Sequence, residues 1–196
     1  MTPRVTGMYK SELRERIIQA AIESFSRTGF DRTKMDDIAK RLGLSKGTLY
    51  LYFKSKEELF HAICESYLNA LKKQLPMFGR WEDVLPDAER LYDYFRELEA
   101  GNAKVMVEMI VESTRNPKLR RVLYEHRLKV REIVIAYLQR QVESNFIKKE
   151  TDIPSLASAY IALYDGITLS HLIGATAAEN KKAWMSMVKA SLAGVS

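Results

Sequence analysis

Between Ser45 and Leu59 the chain reads SKGTLYLYFKSKEEL, a stretch dense in groups that can bind a polyanion. Lys46, Lys54 and Lys56 carry positive charge. Tyr50 and Tyr52 carry hydroxyls that can donate to phosphate oxygens, and Ser45 and Thr48 add two more. Gly47 leaves the backbone bare for close approach, and the Thr48 methyl suits the C5-methyl of thymine. Leu49 and Phe53 stand four apart, so they share one helical face and are expected inside. Singly, each lysine or tyrosine is ordinary surface; together on one short helix and the start of the next they point to nucleic acid.

Other reactive pairs in the sequence are weaker. His61 and Cys64, three apart on a helix, could face the same way as two metal ligands or a nucleophile pair, but a site needs a third member nearby. His126 and His171 stand at no matching spacing from Cys, Asp or Glu. No enzyme, metal or cofactor is therefore expected. A single cysteine excludes an intrachain disulfide framework and fits a reducing compartment. No apolar run approaches the roughly 20 residues needed to span a bilayer, and the N-terminus lacks the apolar core of a signal peptide. A soluble cytoplasmic protein with no membrane partner is the expectation.

The net charge of +6 is uneven: residues 1–75 hold 14 Lys/Arg against 9 Asp/Glu, and residues 76–196 hold 17 against 16. The basic excess thus sits at the front, where a polyanion-binding module would carry it. A helical adaptor that binds protein could share this charge, but its binding would be insensitive to salt, whereas DNA binding weakens steeply as salt rises.

The elements that must position these groups read as helices almost throughout, with no convincing strand. Spacing of Ile17, Ile18, Ala21, Ile22 and Phe25 predicts a first helix over about 10–28, stopped by Gly29. Thr33 reads as the N-cap of a short helix over 34–42, answered by Asp36 in a capping box and closed by Gly43. Ser45 caps the next helix. Ser55 with Glu58 forms a second capping box and opens a longer helix to about 75. Pro76, Gly79 and Pro86 mark a joint, after which helices are expected over about 87–100, 103–114, 117–146, 152–174 and 179–193. The fold class is all-α. The expected domains are a three-helix, helix-turn-helix DNA-binding head over 1–54, a connecting helix over 55–75, and a helical bundle over 76–196.

A helix-turn-helix places its second helix in the major groove, about 12 Å wide, with the N-terminal residues nearest the bases. At these residues the sequence resembles a known family. The run TKMDDIAKRLGLSKGTLYLYFKSKEELF, Thr33 to Phe60, is similar to the DNA-binding region of TetR-type transcriptional regulators, and RIIQAAIESFSRTGFDRT before it is similar to their first helix. The resemblance implies a homodimer whose two heads bind successive major grooves of a palindromic double-stranded DNA operator. It also implies a larger helical domain for a small-molecule effector, and repression relieved by that effector. Carried over by position, it makes Lys46, Gly47, Thr48 and Tyr50 base-facing, and Thr33, Lys34, Tyr52 and Lys56 mainly phosphate contacts, with Ser45 and Lys54 beside them. The family often has histidine where Tyr52 stands.

The region from Asp152 to Gly174 is apolar on most sides, which suits either an internal core helix or one paired with a second copy. Gly166, Ser170 and Gly174 recur four apart. Because the resembled family pairs its last two long helices between protomers, Tyr160, Leu163, Ile167, Ser170, His171, Trp184 and Val188 are expected at a dimer interface. For the effector, large apolar residues of the middle helices are the candidates: Phe78, Trp81, Tyr92, Phe95, Met106, Met109, Ile110, Tyr124 and Tyr164. These suit a hydrophobic or amphipathic molecule. Arg90, Arg96, Lys104 and Arg115 would meet a lipid-like anion such as acyl-coenzyme A. The alternative is a regulator of multidrug efflux induced by cationic lipophilic compounds.

Overall fold

The structure, a computed structural model, describes residues 7–78, 84–99 and 103–193. Among the described residues it is helical without strands. Helix α1 (Gly7–Thr28) buries Leu13, Ile17, Ile18, Ala21 and Phe25, a stripe at three- and four-residue spacing. It ends where Gly29 takes φ +83°, a left-handed conformation that a side chain would strain, and the Gly29 N–H donates to Phe25 O at 2.9 Å. Helices α2 (Met35–Arg41) and α3 (Lys46–Tyr52) follow, separated by a turn through Gly43 at φ +66°. Helix α4 (Lys56–Gln74) starts where Ser55 Oγ accepts from Glu58 N at 3.2 Å. A 3-10 turn, Leu75–Phe78, closes it.

Thr33 does not cap α2. Lys34 occupies that position without a side-chain bond, and Thr33 is buried, its hydroxyl donating to Gly29 O at 2.7 Å beside the Thr28 hydroxyl at 2.7 Å. The loop folds back on the end of α1, so the hydroxyl reaches that helix before it can reach forward. Asp36 accordingly forms no capping box; it accepts from Lys46.

Further helices are α5 (Val84–Glu99), α6 (Ala103–Ser113), α7 (Pro117–Glu143), α8 (Ile153–Leu172) and α9 (Ala177–Ala193). Pro86 falls in the first turn of α5, where its missing N–H costs nothing. Helix α7 stops three residues earlier than its pattern suggests, because Asn145 turns left-handed at φ 61° and Phe146 N returns to Gln141 O at 2.9 Å. Asp152 caps α8 by accepting from Ser155 N at 3.1 Å. No helix among the described residues is long and apolar enough to cross a membrane.

The chain forms two compact units, each drawn from two separate stretches of sequence. The first takes residues up to Ser66 together with Lys104–Leu123. The reason lies in its core: Val105 and Met109 of α6 and Leu119 of α7 are buried in one cluster with Ile17, Phe25, Ile38, Leu49, Phe53 and Phe60. Met106 packs against that cluster too. Met109 is therefore a core residue of this first unit and Met106 is half-buried against it, while Ile110, 55% exposed, stands on its surface.

The second unit takes Tyr67–Ala103 and the chain from Tyr124 onward. Its core joins Leu71, Leu91, Tyr92, Tyr137, Ile153, Ala157, Ile167, Trp184 and Val188. Polar tips find backbone partners: Tyr92 Oη donates to Ala177 O at 3.2 Å and Trp184 Nε1 to Ala88 O at 2.9 Å. Of the residues expected at the interface, Ile167, Trp184 and Val188 are buried in this unit's own core. Tyr160, Leu163 and Ser170 are half-buried and His171 is exposed. The outward surface of α8 carries Ala159, Ala162, Gly166, Leu169 and Leu172, with Ile173 exposed just past its end, and that of α9 carries Ala183, Ser186 and Ala190.

Candidate nucleic-acid interface

The first unit holds α3 from behind. Leu49 and Phe53 are fully enclosed, and Tyr50 and Tyr52 lie half-buried against the same core. Ser45 sets the start of the helix: its Oγ accepts from Thr48 N at 3.1 Å and lies 2.8 Å from Thr48 Oγ1. Substituting an apolar residue there would cost about 1 kcal/mol. At the other end Lys54 Nζ donates to Tyr50 O at 2.8 Å, closing a terminal carbonyl with a cation.

With Leu49 and Phe53 facing in, Lys46, Gly47 and Leu51 face out. A Cβ at Gly47 would meet only Ser45 Oγ, at 3.9 Å, so the protein's own packing places no demand for glycine there. Leu51, 78% exposed, is the residue that the sequence reading missed. The spacing signal was present, since 51 follows 47 by four and lies between the inward positions 49 and 53.

Lys46 leans across to the preceding helix. Its Nζ lies 3.0 Å from Asp36 Oδ2 and 5.8 Å from the centre of the Tyr50 ring. The hydrogen bond and charge of Asp36 hold the ammonium above the ordinary lysine range. Lys34 is exposed, and Thr33 is engaged internally as described. Lys56 is half-buried: its Nζ donates to Phe30 O at 2.6 Å and Asp31 O at 2.9 Å and sits 4.6 Å over the Phe30 ring. In this arrangement its charge ties the α1–α2 loop to α4.

The same unit contains the turn between α6 and α7. Asn116 Oδ1 accepts from Lys118 N and Leu119 N, and its Nδ2 donates to Glu57 Oε1 at 3.1 Å. Burial pushes the Glu57 carboxyl up, but bonds from its own backbone N–H, Asn116 and Ser55, with the charge of Lys56, outweigh that and hold it below the usual range.

The expected effector residues do not form one group. Phe78, Phe95 and Tyr164 are half-buried in the second unit in a connected run of rings. Phe78 stands 5.6 Å from Tyr94, Tyr94 5.8 Å from Phe95, Phe95 5.0 Å from Tyr164 and 6.2 Å from Trp184, and Trp184 5.7 Å from Tyr160. Tyr92 is buried in the adjoining core. Tyr124 is 63% exposed on α7, and Trp81 lies outside the described residues. Of the basic residues expected at an anionic head group, Arg90 pairs with Asp87, and Arg96, Lys104 and Arg115 are exposed.

Comparison with known proteins agrees with this geometry. Residues 17–63 match the family described as bacterial regulatory proteins, tetR family, and residues 91–195 match BetI-type transcriptional repressor, C-terminal. The HTH-type transcriptional regulator YfiR of Bacillus subtilis (strain 168), itself uncharacterized, is 29% identical over 171 residues, covering 85% of this chain and 83% of that one. A TetR-family transcriptional regulator from Rhodococcus sp. superposes with TM-score 0.81 at 17% identity, over 93% of this chain and 99% of that one. A transcriptional regulator from Saccharomonospora viridis, solved in complex with choline, gives TM-score 0.70 at 22% identity, over 91% and 96%. At such identities the two structures speak for the fold alone. A short helix held from behind with a basic, apolar-tipped outer face, on a chain matched at both ends by this family's profiles, has one reading: the chain belongs to the TetR family of DNA-binding transcriptional regulators.

Proposed function

We propose that the protein is a homodimeric repressor that reads a palindromic operator through α3 and is released by a lipophilic effector held in its second unit. The observation that carries the operator reading is the outward row Lys46, Gly47 and Leu51 on a helix whose opposite face is fixed by Leu49 and Phe53. Thr48 and Tyr50 flank that row and contribute to base contact, while Lys34, Tyr52 and Lys54 serve the phosphates. Bare backbone at Gly47 lets the helix sit deep in the groove, which explains a glycine that internal packing does not require.

Dimerisation is supported by the outward surfaces of α8 and α9, where small residues at Ala162, Gly166, Ala183, Ser186 and Ala190 lie beside exposed Leu169, Leu172 and Ile173. Binding both half-sites requires the two α3 helices at the separation of successive major grooves, about 34–36 Å. An effector acts by favouring a dimer shape in which that separation is lost, and each tenfold difference in its affinity for the two shapes shifts the balance by about 1.4 kcal/mol.

The run of rings from Phe78 to Tyr160 favours a lipophilic cation over the lipid-like anion. Aromatic faces carry negative potential and attract ammonium groups, and among the described arginines of the second unit Arg90 pairs with Asp87, Arg127 pairs with Asp165, Arg131 donates to Ser158 Oγ and Pro154 O, and Arg96 and Arg140 are exposed. The choline in the Saccharomonospora viridis structure is consistent with such a cation. The test selects bound sequences from random DNA with the full chain, then titrates the complex with choline, dodecyltrimethylammonium and palmitoyl-coenzyme A. An inverted repeat released by a quaternary ammonium is expected. Release by the acyl anion alone would overturn the cation reading, and a selected sequence without two-fold symmetry would overturn the dimer.

A further inference from the structure

The recognition helix is approached by one acidic group that no DNA-binding role explains. Asp36 lies in the first turn of α2, its side chain 42% exposed, and its Oδ2 is 3.0 Å from Lys46 Nζ across the helix-turn-helix. A carboxylate on the face of a polyanion-binding unit repels phosphate, so by charge alone it weakens every complex the unit makes. The ammonium it holds is 65% exposed and is also 5.8 Å from the Tyr50 ring centre. One donor of the ammonium is committed to Asp36, which leaves two of its three for an incoming acceptor. A free lysine would wander over many rotamers and settle on whichever phosphate was nearest. This one is held at the N-terminal end of α3, where side chains meet base edges.

We propose that Asp36 is a positioning residue that fixes Lys46 for direct readout of a guanine, through O6 and N7 in the major groove, at the expense of non-specific affinity. The inference rests on α3 being the DNA-reading helix. It separates two quantities that a plain surface ion pair moves together. With Asp36 present, sequence-independent attraction is reduced because a phosphate must compete with the carboxylate. The guanine contact is strengthened because the donor is already aimed. An exposed pair is worth little for stability, so Asp36→Asn leaves folding intact and its effect appears in discrimination.

The test uses the full-length protein, an operator duplex selected by that protein from random DNA, and a scrambled duplex of the same composition. Asp36→Asn is expected to weaken operator binding by about five- to tenfold, the low end of what one base contact contributes, while strengthening binding to the scrambled duplex. Replacing the guanine facing Lys46 by 7-deazaguanine, which removes N7 alone, is expected to weaken the unaltered protein. The same replacement should matter less to Asp36→Asn and not at all to Lys46→Ala. An equal gain on both duplexes for Asp36→Asn would show that the carboxylate only sequesters or repels, and no change on either would show a spectator; both overturn the inference. A selected operator lacking a fixed guanine in each half-site overturns it as well. Failure of the unaltered protein to bind any selected duplex would instead remove the DNA reading of α3 itself.

Discussion

Lys56→Met distinguishes a lysine that braces the DNA-binding unit from one that binds phosphate. Methionine keeps the apolar stem but leaves Phe30 O and Asp31 O without the ammonium that reaches them at 2.6 and 2.9 Å, and removes the charge 4.6 Å above the Phe30 ring. Bonds from a charged donor contribute about 1.5–3 kcal/mol when enclosed, and an exposed cation–ring contact about 0.5–1 kcal/mol. The ammonium is half-buried and water can replace it at the carbonyls, so the net loss should be near that of one such bond, about 1–2 kcal/mol. It is read as a lower unfolding midpoint in urea, followed by far-UV circular dichroism. The parallel measurement is the slope of log operator affinity against log salt. Each phosphate contact adds about 0.9 to that slope, so losing one in each half-site would flatten it by nearly two. A bracing lysine lowers the midpoint and leaves the slope alone. An unchanged midpoint with a flatter slope would refute the structural role and return Lys56 to the phosphate contacts.

Leu51→Asp should abolish operator binding without changing the dimer or the melting temperature, because the side chain is 78% exposed and supports nothing inside; gel-shift and light scattering check both halves. Gly166→Leu should yield a folded monomer by analytical ultracentrifugation, since a Cβ there meets nothing within 4 Å in the protomer; a stable dimer would move the interface elsewhere. The Glu57 carboxyl is held low in the folded state, so its contribution is present above the ordinary carboxylate range and is lost as the pH falls through the lowered value. Urea midpoints taken between about pH 5 and pH 3 should therefore fall less steeply for Asn116→Ala than for the unaltered chain.

Much of the head was legible in the sequence because its cues are local. Ser45 three residues before an N–H that needs an acceptor, and Leu49 four before Phe53, specify the start and the buried side of α3 with no knowledge of the rest. Thr33 misled because a hydroxyl in a loop has two helices within reach, and only the fold shows that α1 takes it. Trp184 and Val188 show a related ambiguity: an apolar stripe says that a face is covered, not by what, and in this chain Trp184 reaches Ala88 O of α5. Periodicity was equally silent on Met109, whose 3.6-residue rhythm places it inside but cannot name the helices it meets.

The return of Lys104–Leu123 to the first unit has a consequence for anyone who would cut this protein. A head expressed as residues 1–66 would present the sockets of Val105, Met109 and Leu119 to water with nothing to fill them. Exchanging heads between relatives at a single crossover would likewise mate one ancestor's sockets with another's plugs. The transferable cassette is discontinuous, and a working chimera must carry both of its pieces from the same parent.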